Sequence, residues 1–395
     1  MRFFNNHRPR ANDLPAWRIA SMLVAAFGLT LGGCAGSPKA KVPTVSFAFS
    51  GDLAGQNACR DAKVGFPIFR QVLNKRPDFF VALGDMIYAD NDCLAKGLFG
   101  NAQVPRAAGL ARDPEDFRAH WDYVRADPAF AELLNAIPYF AVWDDHEVRN
   151  DFGPATTDEG IITSSRSVFN ALYPTGTDIL YFSRQFNEQL ELFFLDTRSY
   201  RDANALPDLA GKAKTMLGES QKRWLIDSVV ASRAKWKVIV TSVPLSIPTG
   251  WPPDGPRDGW ANFGGPTGYE TELAEILSAF ARSKVRNLVF ISADVHFATG
   301  FRYQPFAAYP DFHFHEFVTG PLNAGLFPSR DVDASFRPER LFFHGPDQAQ
   351  GKLSFEEALR WFNFGLIEIE SDGPMRFELI DGYGDTQAQL TLKPD

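Results

Sequence analysis

Residues 79–88 read Phe79-Phe80-Val81-Ala82-Leu83-Gly84-Asp85-Met86-Ile87-Tyr88, an apolar run that stops at a glycine and an aspartate. A run with no polar member fits a strand covered on both faces, as in a sheet with parallel strands and helices packed on it. The aspartate is then delivered at the strand's carboxyl edge, where α/β proteins form their sites. The same punctuation recurs. Val45 to Phe49 ends in Ser50-Gly51-Asp52, and Pro138 to Val142 ends in Trp143-Asp144-Asp145-His146-Glu147. Asn287 to Ser292 leads into Ala293-Asp294-Val295-His296.

Helical signals alternate with these strands. Asp61 to Asn74 is expected to form a helix, and Asp113-Pro114-Glu115 starts another that runs to about Leu134. Tyr181 to Phe186 and Leu190 to Leu195 flank Asn187-Glu188-Gln189, a hairpin pattern with Asp196 at its end. A helix over about Glu219 to Ser232 precedes a strand over Val238 to Thr241. Leu273, Ile276, Leu277 and Phe280 then share one helical face, and Phe364 to Ile369 and Met375 to Ile380 are late strands. The stretch from Pro244 to Gly268 is long for a loop and reads as a functional rim. Its Trp251, Trp260 and Phe263 either line a groove for an organic leaving group or simply pack on the sheet. The order predicts an α/β domain over residues 44–395, with two mixed sheets covered outside by helices.

Composition narrows the class. The 395 residues are 45% apolar and 14% aromatic, enough for a large core, which excludes a disordered chain. A formal net charge of −8 leaves no basic footprint for specific nucleic-acid binding, so any phosphate chemistry would need metal ions to invert the local sign. At the N-terminus, Arg2, Arg8, Arg10 and Arg18 precede an apolar run from Ile19 to Leu31, followed by Leu31-Gly32-Gly33-Cys34. Residues 1–33 read as a lipoprotein signal peptide, Cys34 as the lipidated residue and residues 34–43 as a flexible tether. An uncleaved anchor is the alternative. The expected location is outside the cell membrane, on its periplasmic or extracellular side, held by the lipid. Cys59 and Cys93 form an even pair in such an oxidising compartment and are expected to be disulfide-bonded, with a thiolate metal ligand as the rival reading.

Asp52, Asp85 with Tyr88, Asp145 with His146, and Asp294 with His296 each follow an apolar strand. One strand-end carboxylate would be unremarkable, because many cap a helix or turn. Several of them can fix two closely spaced cations, one carboxylate bridging and the others terminal. His146 is the candidate general acid or oxyanion stabiliser, or else a hydrogen-bonding partner of a ligand carboxylate, and Asp145 is placed with it in the chemical step. Arg149, Arg198 and Arg201 are candidates for a phosphate clamp, or for structural ion pairs with Asp144 and Asp196. His313 and His315 alternate with Phe312 and Phe314 and read as wall rather than ligand. The chain has no Gly-x-Ser-x-Gly elbow, which sets aside a serine hydrolase.

Gly84-Asp85-Met86-Ile87-Tyr88, Trp143-Asp144-Asp145-His146-Glu147 and Ala293-Asp294-Val295-His296 resemble successive motifs of the alkaline phosphatase D (PhoD-like) branch of calcineurin-like metallophosphoesterases. Leu195-Asp196-Thr197-Arg198-Ser199-Tyr200-Arg201, Thr215 to Gly218 with Gln221 and Trp224, and Glu316 to Asn323 extend the resemblance over nearly all of the mature chain. It implies a four-layer α/β/β/α metallophosphoesterase sandwich. It also implies that Asp85 bridges two or more metal ions, with Asp52, Tyr88 and His296 completing one site and Asp145 and Asp294 serving the other. Where the superfamily has a histidine two positions after its first aspartate, this chain has Ala54, and some PhoD-like proteins carry a cysteine where Asp52 stands. The tyrosine-containing site therefore suits Fe³⁺, and the carboxylate-rich site Ca²⁺, Mn²⁺ or Mg²⁺. The implied activity is hydrolysis of phosphate monoesters, diesters or phospholipids by a metal-activated water. A catalytically idle, metal-binding lipoprotein on the same scaffold is the alternative.

Overall fold

A computed structural model describes residues 45–395 apart from 92, 105, 108, 210, 213, 251–254, 264, 266, 349–352 and 371–372. Cys34, the leader, the tether and Trp251 lie outside the described residues. The first sheet holds β1 (Val45–Ser50), β2 (Phe79–Ala82) and β3 (Tyr139–Ala141). The second holds β4 (Phe182–Gln185), β5 (Leu190–Phe194), β6 (Trp236–Val240), β7 (Leu288–Ser292), β8 (Ala298–Tyr303), β9 (Phe314–Val318) and β10 (Pro338–His344). The chain then returns to the first sheet with β11 (Asn363–Ile369), β12 (Met375–Asp381) and β13 (Thr386–Leu392). The strand orders are β13-β12-β11-β1-β2-β3 and β10-β8-β9-β7-β6-β5-β4. Both sheets are mixed: β1, β2 and β3 pair in parallel while β11 runs antiparallel to β1. In the second, β5, β6, β7 and β9 are parallel, and β4 and β8 are antiparallel.

Side-chain alternation sorts the core into layers. Phe47 and Phe49 of β1 meet Leu192, Val238, Ile291 and Phe317 between the sheets, where Phe317 stacks on Phe377 with ring centroids 3.9 Å apart. The intervening residues face outward. Ala48 and Phe80 pack under α1 (Ile68–Lys75), α2 (Pro114–Arg125), α3 (Pro128–Ala136) and α4 (Glu159–Leu172). Phe193, Ile239 and Phe290 pack under α5 (Gly218–Ala231) and α6 (Glu270–Arg282). The expected α/β/β/α sandwich of two mixed sheets is therefore present. The remaining helix, α7 (Phe355–Leu359), leads into β11. No helix among the described residues is long and apolar enough to cross a membrane.

Two helical expectations need correction. The segment from Asp61 does not start a helix, because the Asp61 carboxylate accepts the Lys63 and Val64 amides at 2.8 Å each and holds a turn that closes at Gly65. Helix α1 begins only after Pro67. The expected long helix from Asp113 to Leu134 is two helices, since Asp127 caps a new start by accepting the Ala129 and Phe130 amides at 3.0 Å each. Pro128 has no amide hydrogen to continue the first helix.

Candidate metal centre

The parallel strands aim their carboxyl ends at one place. Asp52 leaves β1, Asp85 leaves β2, Asp144 and Asp145 leave β3, and Asp294 and His296 leave β7. The turns are tight. Asp52, Asp85, Asp294 and His296 all sit at left-handed φ, between 54° and 72°. A non-glycine residue seldom adopts this conformation, and a cluster of them marks a functional constraint held by its surroundings. Gly84 is needed beside them, because a Cβ there would lie 2.6 Å from the Asp144 Cβ.

Donor atoms of Asp52, Asp85 and His296 lie within 4.8 Å of one another, as do those of Asp85, Asp145 and His146, and those of Asp85, Asp144 and Asp294. Asp85 belongs to these three, as a bridging carboxylate would, while a fourth group, Asp145, Asp151 and Asp258, lies without it. Tyr88 Oη is 2.8 Å from His296 Nε2, and the His296 Nδ1 faces the Gly325 carbonyl at 2.5 Å. Both Asp52 oxygens, Asp144 Oδ2, Asp145 Oδ1 and Asp294 Oδ2 are buried without a hydrogen-bond partner. Burying unpaired carboxylate oxygens is costly unless a cation takes them, so the donor set fits metal ions.

The electrostatics agree. Burial first, then the neighbouring carboxylates, push Asp52, Asp85 and Asp294 well above the usual carboxylate range. Burial lowers His296 to about 3, leaving the neutral imidazole that a metal requires. Burial also works against charge on His146, but Asp145 and Asp90 outweigh it and carry that group up to about 10. The His146 Nδ1 is 2.8 Å from Asp90, and its ring stacks on Tyr88 at 4.1 Å. A second carboxylate, Glu147, accepts the amides of Asp85 (3.0 Å), Met86 (2.7 Å) and Asp144 (2.8 Å), and so pins two ligand loops together.

Arg198 is fully buried, with Nε 2.6 Å from Asp144 and NH2 2.7 Å from Asp258. Arg201 is buried against the same Asp258 at 2.6 Å. Arg149 gives its guanidinium to the carbonyls of Val148 and Ala111. None of the three is among the described residues lining the central cavity of about 200 Å³; the arginine there is Arg330, beside Asp85, Asp145, His146 and Asp294. The ion-pair reading is met at Arg198, which holds Asp144, while Arg201 pairs with Asp258 and Arg149 lines a neighbouring cavity of about 530 Å³.

Cys59 and Cys93 are disulfide-bonded, which excludes the thiolate ligand and ties the loop after β1 to the loop after β2. His313 and His315 line a separate cavity beside Trp236 and Asp395. Trp260 is buried in the core, whereas Phe263 is 42% exposed. Sequence reading missed Asp90, Glu147's pinning role, Asp258 and Arg330. Only Glu147 carried a signal, its place within Trp143-Asp144-Asp145-His146-Glu147.

Two mixed sheets that gather aspartates, a tyrosine and histidines at their strand ends define an α/β protein of metallophosphoesterase-like fold. The PhoD-like phosphatase family model matches residues 47–373, and the chain belongs to that family. It is 24% identical over 290 residues to alkaline phosphatase D of Bacillus subtilis (strain 168), covering 66% of this chain. The match covers 47% of that relative, so the chain spans about half its length. Its fold is similar to a solved structure of PhoD (TM-score 0.64, 18% identity, 90% of this chain and 70% of that one). It is also similar to a purple acid phosphatase from yellow lupin (Lupinus luteus) seeds (TM-score 0.55, 12% identity, 89% of this chain and 54% of that one).

Proposed function

We propose that this chain hydrolyses phosphate monoesters, diesters or both at a centre of two or more metal ions held by Asp52, Asp85, Tyr88, Asp145, Asp294 and His296. The observation that carries the reading is the convergence of partnerless buried carboxylate oxygens on Asp85, beside a tyrosine and a neutral histidine. Family membership supports it. Hard oxygen donors with a phenol suit Fe³⁺ in the Asp52–Tyr88–His296 half, and carboxylates suit Ca²⁺, Mn²⁺ or Mg²⁺ in the other. Such ions supply an acidified water and positive charge for phosphoryl oxygens.

This chain's own residues do the rest. Asp90 occupies Nδ1 of His146, so Nε2 is the nitrogen that hands a proton to the departing ester oxygen. Glu147 keeps the Asp85 and Asp144 loops in register. Substrates would include small phosphate esters and phospholipid or other diesters, without specific nucleic-acid binding. Residues 1–33 would direct export and Cys34 would carry the lipid; the Cys59–Cys93 disulfide supports an oxidising compartment. A Cys34→Ser variant should leave the membrane fraction, and its retention there would sink the anchor.

The deciding experiment is elemental analysis beside hydrolysis of p-nitrophenyl phosphate and bis-p-nitrophenyl phosphate, with and without Ca²⁺. Bound transition metal with cleavage supports the reading. Absence of both under every metal supplement would leave an idle scaffold.

A further inference from the structure

The central cavity shares lining residues with two larger ones of different chemistry. A cavity of about 530 Å³ shares Asn150 and Asp151 with it and is lined by Thr156, Thr157 and Asn204. A cavity of about 470 Å³ shares Gly250, Phe327 and Arg330 with it and reaches Phe263. Phe327 stacks on the ligand His296, centroids 4.9 Å apart and planes at 28°, so one ring stands directly against the metal centre. Phe263 presents a second ring, 42% exposed, where burial would normally be preferred. The Arg330 guanidinium lies 5.8 Å over Phe327 and 3.4 Å from the Pro248 carbonyl. A cation at the border of the metal cavity and aromatic faces beyond it match an anionic phosphoryl group joined to a flat apolar substituent.

We propose that Phe263, Phe327 and Arg330 form a leaving-group subsite that selects aryl over small alkyl phosphate esters. Arg330 contacts a non-bridging phosphoryl oxygen, and the aryl group packs on Phe263 and against the edge of Phe327, whose ring already meets His296 and Arg330. The subsite rests on the phosphoesterase reading of the centre. In the reaction, the oxygen of water bonds to phosphorus and gives up one proton to solvent, the bond from phosphorus to the aryl oxygen breaks, and that oxygen takes a proton from His146, which regains one from solvent.

The test is calorimetric binding of phenylphosphonate and methylphosphonate, neither of which is hydrolysed, to the metal-loaded protein and to Phe263→Ala, Arg330→Gln and Arg330→Lys. Phenylphosphonate should bind at least about 3-fold tighter than methylphosphonate, and Phe263→Ala should bring that ratio close to one. Arg330→Gln should weaken both ligands about 10-fold or more, with partial rescue by Arg330→Lys. Melting curves and metal content confirm that each variant is folded and loaded. Equal binding of the two phosphonates to the unaltered protein, or a preference that survives Phe263→Ala, overturns the subsite. If the preference is present and no ester is cleaved with any metal, the subsite stands and the phosphoesterase reading fails. Ester cleavage without the preference gives the reverse.

Discussion

The half of the centre around Asp52 faces Tyr88 and His296, both kept neutral by burial, whereas the half around Asp144 leans on Arg198, whose Nε lies 2.6 Å away. Asp258, held well below the usual carboxylate range by Arg198 and Arg201 against the cost of burial, then balances those guanidiniums. The carboxylate half thus carries part of its own counter-charge inside the protein. In the Asp52 half, the Asp52 amide on the Gly84 carbonyl (3.2 Å), the Leu53 amide on the Asp85 carbonyl (2.7 Å) and the Cys59–Cys93 bond join the two loops, with no guanidinium beside Asp52. In the proposed centre an ion would complete the geometry of one half and enter a frame already braced by Arg198 in the other.

Asp85→Asn should have the largest effect, since Asp85 serves both halves: metal content falls in each, and ester hydrolysis drops to that of the metal-free protein. Retention of a full complement of metal would break the comparison at its hinge. Arg198→Met should destabilise the fold by about 3–5 kcal/mol, because Asp144 and Asp258 lose a buried partner; chemical denaturation reads this. That variant should lose metal from the carboxylate half first. Replacing Cys59 and Cys93 together by serine opens a loop with a sequence separation of 34. That should cost about 2–4 kcal/mol, with weaker metal binding in the Asp52 half alone. Ser242→Ala should do least. It removes one hydroxyl donor, 2.6 Å from Asp144, at a cost of about 1 kcal/mol, and iron content should not change.

Most of the fold was legible because the strands that feed the centre are largely apolar runs followed within a few residues by an acid. The helix breaks were legible too, in Gly65-Phe66-Pro67 and in Ala126-Asp127-Pro128, which repeats the Asp113-Pro114 start. Periodicity concealed them by continuing across each break. Arg198 meets the expected Asp144, but Arg198 and Arg201 also find Asp258, from a distant loop that no local pattern links to them. Arg330 and Asp90 had no local pattern to mark them. Only the folded chain brings them to the cavity and to His146.

The left-handed turns at Asp52, Asp85, Asp294 and His296 narrow the evolutionary routes open to this centre. Asparagine and glycine tolerate that backbone, whereas β-branched residues do not. Drift from aspartate to asparagine would therefore erase charge while preserving shape, turning a working centre into a silent but well-folded relative. Drift to valine or threonine would remove function and architecture together. Inactive descendants of this scaffold should accordingly carry asparagine or glycine at the ligand positions.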